Sequence, residues 1–172
     1  MSVFQIRAEN LEWINGQKDN PNDLCLHGDA IAKIGEEIFE YSATVSATAL
    51  YLLKTLIQDH IIDKENQMLP CCGHFMIPNE DLTSVDICGC PNGIDWTVLH
   101  DGNNIRLITE SGKETVISLK EYQKEVFQFA DEIENFYKNC SPKNLSNDYD
   151  RDCYQAFWTE WHRRRGDRDE IT

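Results

Sequence analysis

The densest concentration of reactive side chains lies in two short runs, Cys71-Cys72-Gly73-His74 and Cys88-Gly89-Cys90. Thiolate and imidazole groups brought to one face are the usual ligands of tetrahedral zinc. A hairpin turning symmetrically about Glu80 pairs residues whose numbers sum to 160, which sets Cys72 opposite Cys88. Side chains alternate along a strand, so His74 shares the face of Cys72, and Cys90 that of Cys88. The candidate metal ligands are therefore Cys72, His74, Cys88 and Cys90. Neither cysteine pair has the C-x2-C spacing of common zinc motifs, and a one-residue slip in register exchanges Cys72 for Cys71. The competing reading is small thiols packed in a buried strand pair, with no metal and no cofactor. As a Cys/His nucleophile pair these residues lack the electropositive setting that stabilises a thiolate.

The second chemical feature is a run of one sign. The 41 residues from 65 to 105 contain no Lys or Arg, but hold Glu65, Glu80, Asp81, Asp86, Asp95 and Asp101. The same stretch carries Phe75, Met76 and Trp96. Carboxylates around an aromatic anchor suit a cationic protein surface, the charges steering the encounter and the ring supplying buried area. Glu80, Asp81, Asp86, Asp95, Trp96 and Asp101 are thus the candidate partner-binding residues. The alternative is a solvated acidic face that maintains solubility. The histidines are less telling: His60 adjoins Asp59, His27 lies near Asp29 and His100 precedes Asp101. Such neighbours arise readily in so acidic a chain. There is no GxGxxG, P-loop, GxSxG or HExxH pattern, so no catalytic residue is assigned.

The whole chain sets the frame for these candidates. Its 172 residues carry a formal charge of −14 with a pI near 4.6, which argues against nucleic acid as a partner. With 41% hydrophobic residues it is too apolar for a disordered tail, and its length suits one globular domain over 1–172. No stretch reaches the ~20 apolar residues of a membrane span. The N-terminus has no basic-then-apolar leader, and the seven cysteines are odd in number; together they lead us to expect a cytoplasmic protein.

Periodicity and turn residues predict the elements that must position the candidates. Residues 1–23 form an N-terminal arm or helix, closed by the polar run Asn15 to Asp23. Between Leu24 and Tyr41, helical spacing of Ile31, Ile34 and Ile38 competes with short strands broken at Gly28 and Gly35; strands are preferred. Ser42 or Ser46 caps a central helix carrying Ala49, Leu52, Leu53, Leu56, Ile57 and His60. Strands follow over Cys71–Ile77, Val85–Cys90, Trp96–His100, Ile105–Thr109 and Thr115–Ser118, with Asp101-Gly102 as a hairpin signal. Ser118 and Glu121 make a capping box for a helix through Tyr122, Val126, Phe129, Ile133 and Phe136. A last helix from about Asp150 bears Tyr154, Phe157, Trp158 and Trp161 and ends in cations. Residues 166–172 are expected to be a flexible tail. The fold class is α+β, an antiparallel β-meander sheet packed against two to three helices.

A small acidic α+β domain with the acidic segment Glu65 to Asp101 and no catalytic motif resembles the immunity proteins of bacterial toxin–immunity systems, including contact-dependent growth inhibition. That resemblance implies a non-enzymatic protein that binds and blocks a basic, nuclease-type toxin domain. Carboxylates would pair with the Lys and Arg the toxin uses for phosphate. The other readings are a zinc-binding protein centred on the 71–90 hairpin and a small hydrolase using a His/Asp or carboxylate pair.

Overall fold

The computed structural model describes residues 2–62 and 66–166; Glu65 and nearly all of the expected C-terminal tail lie outside them. Among the described residues, eight strands and three α-helices make an α+β fold with every strand pair antiparallel. The strands fall into three sheets, of three, two and three strands.

The first sheet is β1 (Phe4–Glu12), β2 (His27–Ile34) and β3 (Glu37–Ala43). The N-terminal segment is thus a strand, where an arm or helix was expected. Phe4 and Ile6 alternate inward, and the partner that stabilises the alternation, β2, is remote in sequence. The preference for strands over Leu24–Tyr41 is met by β2 and β3. Their link is a two-residue turn in which Gly35 takes φ of +61°, and a Cβ there would stand 2.6 Å from Thr115 Oγ1. Beyond β1, Trp13 is buried against Phe136 and Tyr137, with the Lys143 ammonium 3.2 Å above its ring.

Helix α1 (Val45–Lys54) is the central helix, buried from Val45 through Leu53. Its N-cap is Thr44, not Ser42 or Ser46, and Thr44 makes no side-chain cap bond. Ser46 Oγ instead accepts the Leu26 amide at 3.1 Å. The helix ends before Ile57 and His60 because His60 exchanges backbone bonds of 2.8 and 2.7 Å with Val98.

A two-stranded sheet follows, β4 (Phe75–Pro78) and β5 (Val85–Cys88). The last sheet is β6 (Trp96–Asp101), β7 (Asn104–Thr109) and β8 (Glu114–Ser118). Gly102, with φ of +59°, turns β6 into β7. Helix α2 (Leu119–Lys138) starts at Ser118, whose Oγ accepts the Glu121 amide at 3.2 Å and donates to its carboxylate at 2.6 Å. It packs Tyr122, Val126, Phe129 and Ile133 against β1 and α1. Helix α3 (Asp148–Arg165) is capped by Asn147 and buries Phe157 and Trp161. It closes with Arg165 bidentate on Asp131 at 2.7 and 2.8 Å. No helix among the described residues is long and apolar enough to cross a membrane.

Candidate functional site

The β4–β5 hairpin gathers most of the residues singled out from the sequence. Its inner face, Met76, Val85 and Ile87, is buried. Its outer face pairs Phe75 with Cys88 and Ile77 with Asp86. Phe75 is 54% and Ile77 45% exposed, so an aromatic and a branched aliphatic stand in water beside a carboxylate. Glu80 and Asp81 are exposed in the connecting turn. Asn79 shapes that turn by accepting the Thr83 and Ser84 amides at 2.8 and 3.1 Å, and Leu82 takes φ of +54°.

Side chains of α1 and α3 fasten the hairpin through its outward backbone groups. Tyr51 donates to Ile87 O at 3.0 Å and Lys54 to Val85 O at 3.3 Å. The Val85 amide donates to Glu160 at 3.0 Å. On the other strand Met76 O accepts the Tyr149 hydroxyl and the Cys153 thiol. Glu160, buried, also takes Arg164 Nε at 2.7 Å and faces Lys54 at 3.9 Å. Burial lowers the Lys54 pKa, against the pull of Glu160. Arg163 reaches back to Thr83 O at 3.2 Å. The C-terminal cations thus close the last helix and contact the acidic hairpin.

Beside β5 lies a cleft of about 160 Å³ lined by Lys54, Asp59, His60 and Asp86 among others. Asp59 is hydrogen-bonded by His100, through its amide and Nδ1, both at 2.8 Å. Those bonds hold the Asp59 carboxyl below the usual range. Asp101, exposed, follows at the end of β6.

Two of the expected docking residues are elsewhere. Trp96 is 0% and Asp95 1% exposed, so neither can meet a partner. The Asp95 carboxylate is a structural acceptor for the amides of Met68 and Trp96 at 3.2 and 2.9 Å and for His60 Nε2 at 2.8 Å. Glu80, Asp81, Asp86 and Asp101 remain at the surface, and Phe75 with Ile77 supplies the apolar contact assigned to Trp96. The alternation of Phe75 and Ile77 around buried Met76 was the available signal, a strand apolar on both faces. Two histidine partners are distant in sequence, His60 with Asp95 and His100 with Asp59, while His27 faces Asp23, four residues before it, at 3.6 Å.

The four-ligand metal set does not assemble. Pairs across the hairpin sum to 163, three more than a symmetric turn about Glu80 requires. An odd sum sends His74 and Cys88 to opposite faces, and the strands stop before Cys72 and Cys90. Among the described residues the thiols that converge are Cys71, Cys72 and Cys90; Cys88 and His74 stand exposed outside the group.

Compared with known proteins, the chain matches no family model, no curated protein and no solved structure.

Proposed function

We propose that this chain is an acidic protein-binding module that docks a basic partner on the outer face of the β4–β5 hairpin. The observation that carries the reading is Phe75 and Ile77 exposed on one small sheet with Asp86, next to the Glu80-Asp81 turn and within a stretch free of Lys and Arg. Exposed apolar anchors rimmed by like charges favour a protein of opposite charge. Three clefts on the described surface hold about 160, 230 and 190 Å³, below the roughly 300–1,000 Å³ of small-molecule sites. These clefts are small for a substrate, and we read the role as binding and blocking without catalysis.

The partner class we assign is a nuclease-type toxin domain, blocked because Glu80, Asp81, Asp86 and Asp101 occupy the cations it uses for phosphate. We place the protein in the cytoplasm, where its thiols stay reduced. The test is capture of partners by the purified chain at low and high salt, followed by nuclease assay of the captured protein. One basic polypeptide, released by salt and inhibited by the chain, supports the reading. Capture that survives simultaneous charge reversal of Glu80, Asp81 and Asp86 refutes it.

A further inference from the structure

The loops flanking β4 and β5 bring three sulfurs together. Cys72 Sγ lies 3.3 Å from Cys90 Sγ and 3.6 Å from Cys71 Sγ, and all three fall within 4.8 Å of one another. Thiolates bound to a tetrahedral zinc ion at about 2.3 Å stand roughly 3.8 Å apart, whereas a disulfide closes to about 2.05 Å. The separations here are too long for a disulfide and close to those that a shared ion requires.

The backbone around the sulfurs is held from several directions. Leu69 and Ile94 exchange backbone bonds of 2.9 and 3.1 Å, tying the segment before β4 to the segment after β5. Pro70 O accepts the Thr44 amide at 3.1 Å, so the N-terminus of α1 fixes the residue preceding Cys71. Gly73 lies so close to that helix that a Cβ would stand 2.7 Å from Ala47 Cβ and 2.9 Å from Thr44 Cβ. The sulfurs also have hydrogen-bonding neighbours. The Asn92 side-chain Nδ2 donates to Cys90 Sγ over 3.7 Å. The Tyr41 hydroxyl, bonded to Asn92 O at 2.7 Å, lies against Cys71.

We propose that Cys71, Cys72 and Cys90 form a zinc site in which three thiolates bind the ion and solvent takes its fourth position. A nucleophilic role would need a nearby cation to stabilise the thiolate, and residues 65–105 supply none from their own Lys or Arg. A divalent ion brings that charge itself. Zinc displaces the thiol protons to solvent, so binding weakens as pH falls. The ion would fasten the base of the docking hairpin from both of its flanking loops, a role separate from the docking face.

The experiment strips the full chain with a chelator under reducing conditions and titrates it with Zn²⁺, then with Co²⁺ as an absorbing probe. Uptake of about one ion per chain, with sulfur-to-cobalt charge-transfer absorption, is expected. Cys71→Ser, Cys72→Ser and Cys90→Ser each weaken binding by more than the roughly 10–100-fold typical of losing an outer hydrogen bond. Cys88→Ser and His74→Ala bind like the unaltered chain. Circular dichroism separates a lost ligand from a lost fold. Zinc protection of the three thiols against alkylation, mapped by mass spectrometry, gives the same reading without substitution. No uptake by the reduced chain, or binding that depends on Cys88 or His74 instead, overturns the proposal.

Discussion

His60 Nε2 lies 2.8 Å from a carboxylate oxygen of Asp95 whose side chain is shut off from solvent. The same carboxylate receives two backbone amides, so it organises the start of β6 and the loop entering it. Asp95→Ala leaves those buried donors unpaired, at about 1–3 kcal/mol each. Urea denaturation should show a loss of about 3 kcal/mol or more, while partner affinity at fixed folded concentration stays unchanged.

The docking face makes the opposite prediction. Phe75→Ala and Ile77→Ser remove exposed side chains, so stability should move by no more than about 0.5 kcal/mol. Partner affinity should fall by about 2 kcal/mol at a true anchor. Calorimetry with the captured partner checks both, and unaltered affinity in the double variant would move the interface elsewhere.

Glu134 gives a pH signature. Burial raises its pKa, but the His162 and Lys138 hydrogen bonds outweigh this and hold it below the ordinary 4.5. A depressed carboxylate contributes stability above its unfolded pKa and loses it as pH falls through the folded value. Glu134→Gln should therefore be less stable than the unaltered chain at neutral pH. The gap should close as pH drops below about 4.5. Urea midpoints for the two proteins across that range decide it, and a gap independent of pH counts against the assignment.

Gly73→Ala tests the packing of the thiol segment on α1. The added methyl would stand within 3 Å of Ala47 and Thr44, so we expect a cost of about 1–3 kcal/mol from overpacking. Thermal unfolding measures it, and a neutral result would mean that the segment moves freely.

Glu160→Ala uncovers the Val85 amide and Arg164 in a buried setting. A loss of about 3–5 kcal/mol is expected for breaking such a pair. Hydrogen exchange should show protection at Val85 falling first.

Much of the fold follows from short-range pattern. The i, i+3, i+4 series of α2, the Ser118–Glu121 box and the Asp101-Gly102 turn act within a few residues, and each stands where the chain predicts it. What depended on distant partners was not legible. Phe4 and Ile6 pair as a strand with β2, and His60 leaves the helical series to pair with Val98. The site shows the same division. The acidic run and the thiols were visible, but their grouping hung on the hairpin register. That register is set by Asn79, whose side chain accepts two amides and lengthens the turn. Asp95 and Trp96 reversed roles because burial is a tertiary property: the carboxylate had buried donors waiting for it.

The side chains that fasten the hairpin have a further effect. Tyr51 occupies Ile87 O, Lys54 and Glu160 the carbonyl and amide of Val85, Tyr149 and Cys153 occupy Met76 O, and Pro78 has no N–H to offer. Those groups are no longer open to a third strand, in a partner or in a second copy. Recognition at this hairpin then falls mainly to side chains, and a two-stranded sheet with apolar residues in water offers fewer edge groups for propagation into aggregates.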